Sequence, residues 1–270
     1  MTIFRVDFGS DIGLGHLMRS LVYAKEFNEV IYISKSNQKE LLPYPLITIK
    51  DEEEFFSHVK KLQPKEVIVD NYAFTLEYQK EFKKLFPDIK LSCFDDEYKE
   101  YFCDEIINHN ISADITKYKQ PHKVKIIPPL IRDEFKTEKQ KKRDKIYDFF
   151  IALGGADTQN LTATIIKSLP KEKKICAVTT TANKYLKELE QIANEYSNVD
   201  LHVNTREFAK LLHQSKFAII TPSVIVHEVL FMQIPFCAIK TASNQDDIYN
   251  YLKQHGYTVM EEFDPRLCDA

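Results

Sequence analysis

The chain has 270 residues, 44% of them hydrophobic and 29% charged, with a formal net charge of -3. These values exclude a disordered or strongly basic chain, and they supply enough apolar material for a core without disulfides or metals. Nucleic acid is therefore not an expected partner. The five cysteines (Cys93, Cys103, Cys176, Cys237 and Cys268) are scattered, odd in number and include no Cys-x-x-Cys. That pattern indicates neither a disulfide framework nor a zinc site and favours a reducing cytoplasm. The start lacks the regions of a signal peptide, and no apolar run reaches bilayer length, so no membrane partner is expected.

Short β-branched and aromatic runs alternate with longer amphipathic stretches. In the first half, strands are predicted at Ile3–Asp7, Val30–Ser34, Leu46–Ile49, Val67–Asp70, Ile89–Phe94, Asp104–Asn108 and Val124–Pro128. Helices fall between them at Gly15–Phe27, Glu52–Leu62 and Leu76–Phe86. Leu17, Met18, Leu21, Val22 and Tyr23 lie at helical spacing within the first of these. After Pro128-Pro129, the polar and basic stretch Glu134–Lys145 reads as a solvated linker. The second half repeats the alternation. Its strands are Tyr147–Leu153, Ile175–Thr179, Val199–Val203, Phe217–Thr221 and Pro235–Ile239. Its helices are Thr158–Ser168, Asn183–Tyr196, Arg206–Gln214, Val224–Met232 and Asp246–His255. The pattern predicts an α/β protein of two Rossmann-like domains facing a cleft, 1–133 and 147–270, joined by the linker 134–146. Ligands of such sheets bind beyond the carboxyl ends of the strands.

Glycine is scarce, six in all, and five fall in two places. The first is Gly9-Ser10-Asp11-Ile12-Gly13-Leu14-Gly15-His16, between a strand and a helix. Such a turn favours an anion, because free N–H groups and the helix dipole point the same way. It is not the dinucleotide fingerprint, since Met18 stands where the third glycine belongs. His16 begins the helix. A neutral imidazole at that place suits a general base near neutral pH, and capping or packing is an equally good reading from these residues alone. The second place is Gly154-Gly155-Ala156-Asp157, where Asp157 or Thr158 can cap the next helix. Gly154 and Gly155 either admit a diphosphate or sugar to the backbone or merely make a tight turn. A third turn, Thr221-Pro222-Ser223-Val224, opens an apolar helix with Ser223 as a candidate N-cap. Glu228, one turn in, suits two ribose hydroxyls or is an ordinary surface glutamate.

Arg5-x-Asp7, Ile12-Gly13-x-Gly15-His16-x-x-Arg19, Phe94-Asp95-Asp96-Glu97, Gly154-Gly155-x-Asp157 and Glu228 occur in that order over nearly the whole chain. Together they resemble the UDP-2,4-diacetamido-2,4,6-trideoxy-β-L-altropyranose hydrolases of pseudaminic acid biosynthesis, a nonulosonic acid route tied to flagellin glycosylation. That family is similar in fold to the GT-B glycosyltransferases. The resemblance implies a metal-independent, cofactor-free hydrolase that breaks the C1–O bond of a UDP-sugar with inversion. His16 would be its base, and Tyr72 and Asn244 (the latter in Asn244-Gln245) would contact the sugar. Gly13, Gly154, Gly155, Ser223, Val224 and Glu228 would hold the nucleotide. Arg5, Asp7, Gly15 and Asp95 would belong to the sugar site. Arg5 and Asp7 read equally well as a buried pair beneath the turn, and the acidic run at Asp95 as a polar turn.

One departure is Pro222, whose missing N–H removes a phosphate donor. Two other readings share these features. A GT-B glycosyltransferase would deliver the sugar to a hydroxyl acceptor, although the chain is short for one and lacks a basic amphipathic helix. A non-catalytic binding protein would keep the cleft without turnover. No coiled-coil pattern is visible, so a monomer is expected, with a UDP-sugar and water as its partners.

Overall fold

A computed structural model of the chain describes residues 1–9 and 14–267. Contacts divide the chain into two compact units, Met1–Leu130 and Ile131–Ala270. No helix among the described residues is long and apolar enough to cross a membrane.

The first unit is built on a parallel sheet. Its strands are β1 (Thr2–Val6), β2 (Val30–Ser34), β3 (Leu46–Thr48), β4 (Glu66–Asp70), β5 (Lys90–Phe94), β6 (Glu105–Asn108) and β7 (Val124–Ile126). Their order across the sheet is β3-β2-β1-β4-β5-β6-β7. Each neighbouring pair runs parallel. Helices α1 (Gly15–Tyr23), α2 (Glu52–Leu62) and α3 (Leu76–Leu85) supply the first crossovers. Asp51 caps α2 by accepting from Glu54 N, and Thr75 caps α3 by accepting from Tyr78 N. Each satisfies a helical amide that would otherwise lack a partner. Beneath the helices, Phe55, Phe56, Phe74, Phe82 and Phe86 pack on Ile3, Val67, Val69 and Leu91 of the sheet.

The second unit repeats the plan. Its strands are β8 (Tyr147–Ala152), β9 (Ile175–Thr179), β10 (Val199–Val203), β11 (Ser215–Ile220), β12 (Phe236–Ile239) and β13 (Thr258–Met260). They are ordered β10-β9-β8-β11-β12-β13, again all parallel. Helices α4 (Asp133–Lys139), α5 (Leu161–Ser168), α6 (Leu186–Glu195), α7 (Phe208–His213), α8 (Ile225–Met232) and α9 (Asp246–Gln254) surround this sheet.

In both sheets the strand order reverses beside the first strand. β2 and β4 flank β1, and β9 and β11 flank β8. Connections leave the central pair in opposite directions there, which opens a crevice at the carboxyl ends of β1 and β4, and of β8 and β11. The ends of these four strands carry the residues of interest.

The basic stretch predicted as a solvated linker begins instead with α4. Its Phe135 is fully buried, edge-on to Phe208 at 6.1 Å and 4.8 Å from the Arg132 guanidinium. Charge density hides this one apolar anchor, because the remaining positions of the turn are polar. Phe135→Ala should therefore destabilise the protein by about 3–5 kcal/mol, the range for emptying a buried aromatic site. Urea unfolding checks this, and a loss below about 1 kcal/mol would restore the linker reading.

Candidate active site

His16 and Arg19 stand three residues apart on α1, so they share a helix face. That face turns to Asp70, the last residue of β4, which is 1% exposed. Arg19 Nε donates to Asp70 Oδ2 and Arg19 Nη2 to Asp70 Oδ1, each at 2.6 Å. His16 Nδ1 lies 2.6 Å from the same Oδ1. Burial alone would push the Asp70 carboxyl up. The Arg19 guanidinium, and after it His16, outweigh burial and hold it well below the usual carboxylate range. A carboxylate only accepts, so Nδ1 must carry the imidazole proton and donate it. Nε2 is then left with a lone pair, the state a general base requires.

Tyr72 closes one side. Its ring stands edge-on to the imidazole, with centroids 4.6 Å apart. Its hydroxyl donates to Asp96 Oδ1 at 2.8 Å, while Asp96 Oδ2 accepts from Arg19 Nη1 at 2.7 Å. Burial, and then Asp96, push the phenol above its ordinary value, so it stays protonated. Tyr72 is nevertheless 47% exposed. A flat, half-open aromatic with a held hydroxyl suits contact with a polar ligand.

The resemblance implies a sugar-site role for Arg5, and the structure supports the other reading, a buried pair with Asp7. Arg5 is fully buried. Its guanidinium donates to Asp7 at 2.5 and 2.9 Å and to Glu52 at 3.1 and 2.6 Å. No ligand reaches a group so enclosed. Asp7 is 5% exposed and accepts from Lys35 N at 2.7 Å and Asn71 Nδ2 at 2.9 Å as well. Burial opposes its ionisation, but Arg5 outweighs that and lowers its pKa. Neither residue bonds to His16 among the described contacts, so Asp70 orients the imidazole in their place. Asp95 follows the polar-turn reading and not the sugar-site role that the resemblance implies. It is buried and accepts from Glu97 N, Tyr98 N and the Tyr101 hydroxyl at 2.9–3.1 Å, folding its own turn. Its neighbour Asp96 is the one that meets Tyr72 and Arg19. Gly15 is exposed at the start of α1, where an added Cβ would meet nothing within 4 Å. Gly13 lies outside the described residues.

In the second unit, Gly154 follows β8 with φ +85°, a conformation that L side chains rarely adopt. A Cβ on Gly155 would stand 2.8 Å from Thr180 Oγ1, so this glycine is needed for packing. Asp157 accepts from Leu161 N at 3.0 Å and Thr162 N at 2.9 Å, which occupies the N-terminus of α5. α8 differs. The sequence predicts Ser223 as its N-cap, but no side chain caps it. Ser223 Oγ pairs with Thr221 Oγ1 at 3.1 Å, and Ser223 N donates to Thr221 O at 2.8 Å. The proline turn thus folds back on itself and leaves the amides of Val224 and Ile225 at the helix start. Glu228, on the same helix, is buried and held by Arg132, whose Nε and Nη2 donate to Oε1 and Oε2 at 2.6 and 2.8 Å. Burial raises its pKa, and Arg132 opposes that rise. Asn244 is exposed in the turn before α9. That turn is tied to the Gly155 loop by Gln159 Nε2, which donates to Thr241 O at 3.0 Å.

The sequence carries Arg19 only as part of a motif and Asp70 only as the end of a strand, and it gives no role to Glu52, Asn71 or Arg132. One signal was present. Asp70 is a lone acid ending an apolar run, at the edge where ligands of parallel sheets bind. Asp70 also yields a prediction. Its folded pKa lies below the unfolded value of about 3.9, so its stabilisation is present above that pH and is lost as pH falls through the folded value. Urea midpoints of the wild type should therefore drop progressively as pH falls below about 4. Asp70→Asn should start lower at neutral pH and fall less steeply. Parallel curves for the two proteins would assign the acid sensitivity to other carboxyls.

The chain matches no protein-family model. It is 34% identical over 268 residues to the UDP-2,4-diacetamido-2,4,6-trideoxy-β-L-altropyranose hydrolase of Campylobacter jejuni, covering 95% of this chain and 97% of that protein. Among solved structures it resembles a spinosyn rhamnosyltransferase in complex with thymidine diphosphate. The TM-score is 0.68 at 11% identity, covering 100% of this chain and 88% of the other. It also resembles the UDP-GlcNAc 2-epimerase of Methanocaldococcus jannaschii in complex with UDP-GlcNAc and UDP. There the TM-score is 0.66 at 13% identity, covering 99% and 90%. Such low identities speak for the fold alone, that of the GT-B enzymes with their two Rossmann-like units. The near-complete alignment at 34% identity goes further: the chain belongs to the UDP-2,4-diacetamido-2,4,6-trideoxy-β-L-altropyranose hydrolase family.

Proposed function

We propose that this protein hydrolyses UDP-2,4-diacetamido-2,4,6-trideoxy-β-L-altropyranose to UDP and the free sugar, as a metal-independent step of pseudaminic acid biosynthesis in the cytoplasm. The observation that carries the reading is the 2.6 Å contact between His16 Nδ1 and Asp70 Oδ1, which leaves Nε2 as an oriented base. In the step, water attacks the anomeric carbon on the face opposite the leaving group. Nε2 takes one proton from the water as its oxygen bonds to C1. The C1–O bond breaks, its electron pair departs with the β-phosphate of UDP, and C1 inverts. Asp70 faces the imidazolium that results and offsets its charge.

The remaining roles follow the chemistry of each side chain. Tyr72 and Asp96 present a fixed hydroxyl and a carboxylate that suit the amides and hydroxyls of the sugar. The uncapped N-terminus of α8 at Val224 suits a diphosphate, because the amides and helix dipole both favour negative charge. Gly154 and Gly155 leave the turn after β8 without side chains. The Glu228 carboxylate keeps lone pairs for ribose hydroxyls while it holds Arg132. Asn244 is assigned to the sugar by the resemblance. The enzyme acts as a monomer with water as its acceptor.

UDP release from this substrate, with chelator and with no added acceptor, tests the reading. Wild type should turn over. His16→Ala should lose at least about a hundredfold in kcat, the worth of a placed base, and Asp70→Asn about tenfold or more. A folded wild type that binds UDP yet releases none would refute the hydrolase. Release only when a sugar or lipid hydroxyl is supplied would make it a transferase.

A further inference from the structure

We propose that Arg19 is a positioning residue that acts through Asp70. Its guanidinium cancels the carboxylate charge that His16 would otherwise face, so the imidazole returns to its unprotonated form between turnovers. This rests on the hydrolase reading above, in which His16 must both take and release a proton.

The geometry sets up the problem. A buried carboxylate 2.6 Å from an imidazole orients it but also favours the imidazolium, and a base that stays protonated is no base. Arg19 meets both oxygens of Asp70 at 2.6 Å through a planar fork that cannot lose its proton at any working pH. Its Nη2 also lies 3.0 Å from His16 Nδ1. Nδ1 donates to Asp70, so this approach is no hydrogen bond. It is a fixed cation beside the ring, and it opposes a second positive charge there.

The cation is held from its other end as well. Arg19 Nη1 donates to Asp96 Oδ2 at 2.7 Å, and the Phe94 ring lies 5.6 Å from the guanidinium carbon. Among the described residues, the charged and titratable groups around His16 are few. Asp70 comes from β4, Arg19 from α1, and Tyr72 from the turn after β4. Asp96 and the Glu97–Lys99 ion pair come from the turn after β5, with Lys99 Nζ 5.0 Å from the Tyr72 ring centre. Asp11 lies outside the described residues. Arg19 is the cation of this group that contacts both members of the dyad.

A residue that only fastened α1 to the sheet would lower the rate equally at every pH when replaced. A charge counterweight would instead move the acidic limb of the pH–rate profile. We would measure UDP release against pH for wild type, Arg19→Gln and Arg19→Lys. The imidazole NMR signal of His16, assigned with His16→Ala, would be followed in the substrate-free proteins. Arg19→Gln should move the limb and the NMR midpoint up by about one pH unit or more. Arg19→Lys keeps the charge without the fork, so it should lower the rate and leave the limb in place. Arg19→Gln strands the buried Asp70 and the part-exposed Asp96 and can fail to fold. The double variant Arg19→Gln/Asp96→Asn keeps the net charge that the wild-type cluster has, and comparing it with Asp96→Asn isolates the same step. An unchanged limb and midpoint in both Gln comparisons would overturn the proposal. If wild type releases no UDP, the hydrolase reading fails by itself, and the NMR midpoints still decide the role of Arg19.

Discussion

The Asp70 carboxylate is shared by three donors: two from Arg19 and one from His16, all at 2.6 Å. It lies at the carboxyl end of β4, where β4 runs beside β1 and the strand order reverses. A buried charge must be met by partners or it costs several kcal/mol. The chain satisfies it by fixing the first turn of α1 over the sheet edge, which in turn fixes where the glycine-bearing turn before α1 ends. His16, Asp70 and Arg19 are thus one electrostatic unit drawn from two elements.

A second ionic cluster sits beside the first. Arg5 joins Asp7 to Glu52 of α2, and Asn71 Nδ2 donates to Asp7. Asn71 follows Asp70 and precedes Tyr72, so the turn that carries the site is gripped from both clusters at once. Its Oδ1 also accepts from Ala73 N at 2.9 Å, closing the turn on itself. Apolar residues of similar volume often stabilise a core as well as or better than buried ion pairs. What these pairs provide beyond stability is placement: they hold His16, Tyr72 and Asp96 in one geometry before substrate arrives. Such preorganisation is what a base and its neighbours need to act on a single water.

The alternation of strands and helices was readable because burial on both faces of a parallel sheet leaves near-continuous apolar runs. What escaped is instructive. β13 is a three-residue edge strand, too short to show a period. α4 carries its one buried aromatic, Phe135, in a run of charges. α5 starts three residues later than expected, at Leu161, because Asp157 caps its amides from outside the helix and Asn160 takes a left-handed turn. In the site, His16 and Tyr72 were legible from motifs. Arg19 was not read as inward-facing, because the apolar stripe of α1 drew attention to Leu17 and Leu21 instead. Its burial follows from a partner 51 residues away, which no local pattern records. The exchange of roles between Asp95 and Asp96 has the same origin. Adjacent acids look alike in sequence, and only the turn decides which one folds it and which one faces the ligand.

The two units place different groups at the equivalent strand ends of their sheets. In the first unit His16 is held in orientation by side chains locked by opposite charge. A diphosphate is large and multiply charged, and backbone amides with a helix dipole suffice to attract it. In the second unit α8 starts without a side-chain cap, and Arg132 pairs with Glu228 one turn further along the helix. Stacking of Arg132 on Phe135 and Phe208 steadies that pair without taking the carboxylate's remaining lone pairs. Pro222 fits the same logic. It has no amide N–H to offer, and the neighbouring Ser223 N–H is committed to Thr221 O. The donors left for an anion are those of the helix itself, where the dipole is strongest.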